Sequence, residues 1–246
     1  MKILVCVSKA PDTTSKIAFT DGNTKFDANG IQFIVNPYDE WYALVRGLEL
    51  KETLGGSVTT FTVGGADHDP IVRKALAIGA DNAVRVDMDA PDAFSVAQEV
   101  ANYAQSGGFD IILTGKETIN FNGSQVAGII AGIMDIAYVS LATKLEVDGT
   151  TATLHRDIVG GEEIVEAQLP IVVSAAKGMA EQRIPNMRGI MAARTKTLEV
   201  IQPSGSAGLS HDVTYTLPPE KSACKMIDAD NVQELVNLLQ NEAKAI

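Results

Sequence analysis

The sequence predicts an α/β protein with a doubly wound, mostly parallel sheet, an antiparallel extension and a C-terminal arm. Three observations predict it. Short apolar, β-branched runs alternate with amphipathic helices over roughly the first half of the chain, which is typical of a parallel sheet covered on both faces. Runs of alternating apolar and polar residues around turn dipeptides follow. A segment rich in Ser, Gly and Pro then separates the C-terminal part from the rest.

Buried-type strands are predicted where continuous apolar runs occur. Residues 2–8 form the first run, and Pro170 precedes the last, at residues 171–173. The others are residues 57–63, 82–86 and 109–114. Such runs are expected of strands that are covered by helices on both faces.

The helices between these strands begin with residues suited to helix N-termini. In Asn36-Pro37-Tyr38-Asp39, Asn36 can accept from free amides, and Pro37 suits the first helical position. An apolar face at helical spacing follows, on Trp41, Leu44, Val45 and Leu48. Later helices are predicted to begin at Asp69-Pro70, near Asp92 and near Ser124.

The antiparallel extension is predicted from alternation and turn signals. Asp148-Gly149 is a two-residue hairpin signal between residues 140–147 and 151–157. Gly160-Gly161 turns the chain again, into residues 163–167. An antiparallel addition to the parallel sheet accounts for both turns.

The C-terminal part lacks the strand pattern of the core. Residues 1–201 are predicted to form the α/β core, in which residues 177–196 carry no strand signal. Residues 202–246 are predicted to be a linker and an arm, because residues 202–208 are rich in Ser, Gly and Pro. The arm ends in an amphipathic helix on Val232, Leu235, Val236 and Leu239.

The composition excludes several classes of partner. The chain of 246 residues carries 20 Lys and Arg against 31 Asp and Glu, a formal charge of −11. An acidic chain suits neither nucleic acid nor an anionic membrane surface, and no apolar stretch reaches the ~20 residues of a membrane span. Cys6 and Cys224 lie far apart, so a reducing compartment, the cytoplasm, is expected.

Signatures of catalysis are missing from the sequence. No G-x-G-x-x-G or G-x-S-x-G motif occurs, and Gly115-Lys116 lacks the remainder of a phosphate loop. His68, His155 and His211 are scattered without the spacing of metal ligands, so we expect no metal site. The sequence therefore favours a protein that is not an enzyme.

A binding site built from backbone groups remains. The carboxyl ends of parallel strands collect ligands, and Val7-Ser8-Lys9, Val63-Gly64-Gly65 and residues 115–125 follow three of them. The last segment presents free amides and small polar side chains for an anion at a helix start, namely Asn122, Gly123, Ser124 and Gln125. The alternative, slightly favoured by local pattern, is that Asn122 or Ser124 only caps its own helix.

These segments resemble, in order, the β subunit of electron transfer flavoprotein over about four-fifths of the chain. The matching pieces are Ile3 to Lys9, Asn36-Pro37-Tyr38-Asp39-Glu40, Lys74 to Asp81, Gly115-Lys116 with Ile119 and Gln125-Val126, Ser140 to Leu145, and Glu181 to Arg194. The resemblance implies the adenine-nucleotide-binding type of this fold. It also implies a heterodimer in which a larger α subunit holds most of the FAD.

The resemblance further implies that the β subunit binds AMP, or a second FAD in electron-bifurcating members. By motif position the cofactor-binding residues would be Cys6, Asn36, Tyr38, Asp39, Val63, Gly115, Asn120, Asn122, Gly123, Ser124 and Gln125. Tyr38 would face the flavin of the α subunit or simply pack at the helix start. Many bacterial relatives carry Asp in place of Asn120 and Asn122, so AMP, a weakly filled site and an empty one all stay open.

Residues 177–196 resemble the recognition loop of this family. There, Met187 would dock into an acyl-CoA dehydrogenase, supported by Ile184, Ile190 and Arg183, and electrons would pass on to a quinone oxidoreductase. The alternative for Met187 and Ile190 is a helix face packed inward, and Arg183 either steers partners or is simply solvated. A stand-alone, stress-type nucleotide-binding protein is the remaining alternative for the whole chain.

Overall fold

The computed structural model describes residues 1–37, 39–221 and 223–246. Its strands are β1 (Lys2–Cys6), β2 (Lys9–Pro11), β3 (Phe19–Thr20), β4 (Lys25–Phe26), β5 (Phe33–Val35), β6 (Ser57–Val63), β7 (Asn82–Val86), β8 (Ile111–Gly115), β9 (Ala137–Asp148), β10 (Thr151–Ile158), β11 (Gly161–Gln168), β12 (Ile171–Ala175) and β13 (Leu198–Ile201). Its α-helices are α1 (Asp39–Leu54), α2 (Asp69–Ile78), α3 (Ala93–Gly107), α4 (Val126–Met134), α5 (Met187–Ala193) and α6 (Val232–Asn241).

The main sheet has the strand order β11-β10-β9-β12-β8-β1-β6-β7-β13. From β1 the chain proceeds to β6 and β7 on one side, and then crosses to β8 on the other. The order therefore reverses at β1, which is the switch point of a doubly wound sheet. Within the described residues, β10 is the one strand of this sheet that runs opposite to the other strands. The predicted fold class is confirmed.

Helices cover both faces of the parallel part. Ile3 and Val5 of β1 belong to one buried cluster with α1 and α2. Leu4, between them, belongs to a second cluster with α3 and α4. Successive side chains of a strand point to opposite faces, so a continuous apolar run fills both clusters. The predicted face of α1 is confirmed, because Trp41, Leu44, Val45 and Leu48 are all buried.

Two details differ from the sequence prediction. Asp148 pairs with Thr151, so the hairpin loop is Gly149-Thr150, one residue later than predicted, with Gly149 at φ 57°. Strand β13 was not predicted, and it adds a parallel edge beside β7. Its four residues are all at least partly exposed and mix apolar with charged side chains, so they carry no buried-strand signal.

Two regions lie outside the main sheet. Residues 9–35 form two small antiparallel pairs, β2 with β5 and β3 with β4. Residues 202–221 and 223–246 contain one helix, α6, none of whose side chains is buried. Across the described part of the chain, no helix has the length and apolar character needed to cross a membrane.

Candidate functional site

The three segments predicted to form a site do converge. Strands β8, β1 and β6 are neighbours and parallel, so their carboxyl ends meet at one edge of the sheet. Cys6 lies opposite Phe61, two residues before Val63 at the end of β6. The hydroxyl of Thr62 donates to the carbonyl oxygen of Val7 at 2.7 Å and joins the two strand ends. The structure therefore brings Cys6, Val63 and Gly115 to the same edge.

Asn36 fixes the loop that follows β8. Its Nδ2 donates to the carbonyl of Glu117, and its Oδ1 accepts from the N–H of Ile119, both at 3.0 Å. The side chain is 0% exposed. In these two bonds Asn36 pairs with the loop after β8 and not with an amide of its own helix. It holds the backbone of residues 117–119 in place.

Gly115 is required by packing at this edge. A Cβ at this position would lie 2.9 Å from the backbone nitrogen of Glu40 and 3.0 Å from the Cβ of Asp39. Contacts under 3 Å are not tolerated by real side chains, so only glycine lets α1 begin directly against the end of β8. This close approach also places the carboxyl groups of Asp39 and Glu40 at the site.

Glu40 is a buried carboxyl group bound to the end of β1. Its two oxygens accept from the N–H and the hydroxyl of Ser8, each at 2.7 Å, and the residue is 5% exposed. Burial raises the pKa of Glu40 to about 7, although the Ser8 hydrogen bonds oppose this. Burial also raises the pKa of Asp39 to about 6, against the effect of Lys116. Burial and then the Glu40 charge raise the pKa of Cys6 far above its usual range.

The start of α4 is not capped by a side chain. The helix begins at Val126, and the preceding Gln125 makes no capping hydrogen bond. Asn122 and Ser124 adopt left-handed backbone conformations, with φ of 48° and 50°. The prediction that Asn122 or Ser124 caps this helix is wrong, because Gln125 occupies the N-cap position and the Ser124 hydroxyl bonds the carboxylate of Glu117 instead. The first amides of α4 keep no partner within the helix, as at any helix start.

The loop before α4 is open at its tip. Asn120 and Asn122 flank Phe121, and all three side chains are exposed. The N–H of Asn122 donates to the carbonyl of Thr118 at 2.8 Å, and Ser124 contacts Glu117 at 3.4 Å. A side chain at Gly123 would meet nothing within 4 Å. Tyr38, the remaining candidate of this group, lies outside the described residues.

Charges at this edge are largely paired. Lys9 contacts the carboxylate of Asp67 and lies 4.2 Å from the centre of the Phe33 ring. Lys116 lies 3.3 Å from the carboxylate of Glu117. Lys9 and Lys116 are therefore both balanced by acids, so an anion here would rely on backbone amides.

The segment around α5 exposes apolar side chains. Met187, Ile184 and Ile190 are 73%, 79% and 39% exposed. The alternative in which Met187 and Ile190 form a face packed inward is therefore wrong. The helix is capped by Asn186, whose side chain accepts from the N–H of Gly189 at 2.8 Å.

Buried and polar contacts fix this segment to the core. The carbonyl of Arg183 accepts from the indole N–H of Trp41 at 3.1 Å, and its guanidinium binds both oxygens of Glu52 at 2.7 and 3.1 Å. Gly189 lies so close to α2 that a Cβ there would be 2.3 Å from the carbonyl oxygen of Ala77. Arg183 is therefore a structural partner of α1, while Arg188 and Arg194 remain exposed.

Comparisons with known proteins identify the family of the chain. A family model described as "Electron transfer flavoprotein domain" matches residues 24–205, well over half of the 246 residues. The chain belongs to the electron transfer flavoprotein family.

Within the family the chain matches the β subunits. The electron transfer flavoprotein subunit beta of Bacillus subtilis (strain 168) is 37% identical over 260 aligned residues, which cover 100% of both chains. The subunit beta of Syntrophomonas wolfei is 35% identical over 225 residues, 91% of this chain and 88% of that one. The human subunit beta is 29% identical over 253 residues, 98% of this chain and 97% of that one.

Sequence reasoning missed one residue and one contact at this edge of the electron transfer flavoprotein chain. Glu40 was not among the candidate site residues, and Ser8 was named only as part of the segment after the first strand, yet their paired hydrogen bonds fix the end of β1. The available signal was position, since Glu40 ends the Asn36-Pro37-Tyr38-Asp39-Glu40 motif and Ser8 follows a predicted strand. Their contact joins residues 32 apart and could not be read from local pattern.

Proposed function

We propose that this chain is the β subunit of a heterodimeric electron transfer flavoprotein, a cytoplasmic electron carrier rather than an enzyme. It accepts electrons from acyl-CoA dehydrogenases and passes them to a quinone oxidoreductase. An FAD held mainly by the α subunit supplies the redox chemistry when bound. This chain supplies a docking surface, a structural nucleotide site and an arm for the α subunit.

The uncapped start of α4 is the observation that supports a nucleotide site. Helix N-termini favour anions through free amides and the helix dipole. Two non-glycine residues, Asn122 and Ser124, hold left-handed conformations immediately before it, which is costly and common at binding sites. The donors present fit a phosphate, because Asn120 and Asn122 carry no charge that would repel it.

AMP is the ligand we propose for this site. Cys6, Asn36, Asp39, Val63 and Gly115 shape the edge, and the amides of residues 123–126 would bind the phosphate. A second FAD in the same place, as in electron-bifurcating members, is the competing occupant.

The exposed apolar side chains near α5 support a docking role. Met187 projects from a helix that is fixed to the core, with Ile184 and Ile190 beside it. A flexible, polarizable methionine suits a surface that must fit a partner pocket. In this proposal Arg183 sets the position of the loop through Glu52 rather than steering the partner.

Residues 202–246 are proposed to bind the α subunit. Helix α6 buries none of its side chains in this chain, and Val232 and Leu235 are exposed along it. An amphipathic helix gains stability mainly by packing its apolar face, so a second chain is the natural cover for α6. Residues 1–201 would then be the α/β core that carries the other two sites.

Co-expression with an electron transfer flavoprotein α subunit tests the assembly. We expect a stable one-to-one complex that couples acyl-CoA oxidation to dye reduction. A chain that stays a monomer or homodimer beside the α subunit, and leaves dye reduction unchanged, would favour the stand-alone alternative and sink the proposal.

Release of the bound nucleotide tests the site. The purified complex is denatured, and the supernatant is chromatographed against AMP and FAD standards. We expect one AMP and one FAD per heterodimer. Two FAD per heterodimer would replace AMP with a bifurcating arrangement, and one FAD without AMP would show that the site is empty.

A further inference from the structure

The segment predicted as a linker is bound to the core instead. Glu99 of α3 is 3% exposed. Both of its carboxylate oxygens accept from the N–H of Ser204, each at 3.0 Å. The hydroxyls of Ser204 and Ser206 also donate to this carboxylate, each at 2.8 Å. A buried carboxylate is costly unless donors surround it. This segment supplies those donors, so the two stabilise each other.

A second carboxylate holds the chain a few residues later. Asp92 caps α3 by accepting from the N–H of Ser95 through Oδ1 at 2.9 Å. Its other oxygen accepts from the amides of Leu209 and Ser210 at 2.6 and 2.8 Å. Gly208 passes so close to Pro91 that a Cβ there would lie 2.3 Å from the proline ring.

An aromatic contact ends the bound segment. The ring of Tyr215 stacks on Phe19, with centroids 4.9 Å apart and planes at 10°. The N–H of Tyr215 donates to the carbonyl of Asn23 at 2.8 Å. We call residues 202–215 the strap and residues 216–246 the distal arm. The distal arm contains α6, which has no buried side chain.

We propose that Glu99 and Asp92 are positioning residues for assembly: they clamp the strap and so fix the point and direction from which the distal arm reaches the α subunit. This proposal rests on the proposed heterodimer, and it adds that the clamp influences the affinity between the two subunits. The core and the distal arm would bind one partner at two places, and the length of free chain between them sets the effective concentration of the second contact. Release of the strap would about double the number of residues between the core and α6, which predicts roughly threefold weaker association.

Variants on both sides of the clamp test this in the full-length chain. Glu99→Gln removes the charge that accepts from the strap. Ser210→Pro removes an N–H that donates to Asp92, and it leaves the bond by which Asp92 caps α3 in place. Ser206→Ala removes one hydroxyl that donates to Glu99. Ser206→Thr keeps a hydroxyl at this position and should behave like the wild type. Glu199→Gln, an equal charge change on the exposed face of β13, is the control.

Hydrogen exchange and α-subunit titration are the two measurements. We expect the amides of Ser204, Leu209 and Ser210 to be protected in the wild type and in Glu199→Gln. In Glu99→Gln combined with Ser210→Pro, the amides of Ser204 and Leu209 should exchange at least tenfold faster, and the Kd for the α subunit should rise about threefold. Bound AMP should remain at one per heterodimer in every variant.

Two results would overturn the clamp. Amides that stay protected in the combined variant would show that the carboxylates do not hold the strap. Amides that lose protection while the Kd is unchanged would show that the strap does not set assembly. If the wild-type chain binds no α subunit, that result would instead contradict the proposed heterodimer, and the clamp would then have no role in assembly.

Discussion

The carboxamide of Asn36 is hydrogen bonded to the backbone N–H of Ile119, 83 residues further along the chain, at 3.0 Å. The same carboxamide donates to the carbonyl of Glu117. Asn36, three residues before the first residue of α1, thus holds the loop before α4 in place. The proposed phosphate site therefore depends on a side chain from a distant part of the sequence.

Replacement of Asn36 should disturb both stability and the nucleotide. Asn36→Ala leaves a partly buried N–H and a partly buried carbonyl unpaired, which should lower the free energy of unfolding by about 2 kcal/mol. The loop at residues 117–125 then loses its anchor, so AMP should dissociate faster. Urea unfolding and the AMP content of the purified complex measure the two effects. Asn29→Ala, in an exposed loop, is the control, and equal AMP retention in both variants would contradict the anchor role.

Glu40 should make stability depend on pH. Its pKa is about 7 in the folded chain, against an ordinary value of 4.5. Between these two pH values the folded chain therefore binds more protons than the unfolded chain. The Glu40 contribution to stability is therefore full below pH 4.5 and is lost as the pH rises through 7, by up to roughly 3 kcal/mol. Asp39 contributes with the same sign, its pKa being raised to about 6.

Glu40→Gln isolates the Glu40 share of this dependence. The amide cannot ionise, so the difference in unfolding free energy between wild type and variant should change across the window. Urea unfolding at a series of pH values measures it. Parallel curves for the two proteins at every pH would show that Glu40 does not titrate in this range.

Met187→Ala should weaken docking without affecting the fold. The side chain is 73% exposed, so the free energy of unfolding should stay within about 0.5 kcal/mol of wild type. Loss of an apolar anchor at an interface costs about 1–2 kcal/mol, so kcat/KM for reduction by the dehydrogenase should fall about tenfold. Val159→Ala, a fully exposed residue at the β10–β11 turn, is the control. An unchanged rate in Met187→Ala would remove this residue from the docking surface.

Gly189→Ala should separate α5 from α2. The added Cβ would lie 2.3 Å from the carbonyl oxygen of Ala77, a backbone atom that cannot turn aside. We expect the free energy of unfolding to fall by about 2 kcal/mol. Fluorescence of Trp41, the single Trp of the chain, should also change, because its N–H binds the base of the same segment.

Gly132→Ala is the matched control for this substitution. It lies within α4, and a Cβ there would contact nothing within 4 Å. Alanine should raise helix stability by about 0.5–1 kcal/mol. A similar loss of stability in both variants would argue against a specific clash at Gly189.

Much of the parallel core could be predicted because its signals are local. Strands β6 and β7 have the predicted bounds, since apolar β-branched runs end at turn residues. The α4 start was misplaced because Asn122 and Ser124 look like caps in sequence, whereas a loop held by Asn36 puts them in left-handed conformations. Strand β13 was missed because its pairing with β7 depends on a partner more than 100 residues away.

The sequence by itself determined the fold class, the family resemblance and the edge of the sheet that carries the candidate site. These follow from periodicity and from motifs, which depend on neighbours in the chain. Tertiary structure alone decided that Met187 is exposed, that Arg183 pairs with Glu52, and that a segment with the composition of a linker is clamped by Glu99. The reason is that burial, ion pairing and hydrogen bonding between distant residues depend on which surfaces meet, and composition does not contain that information.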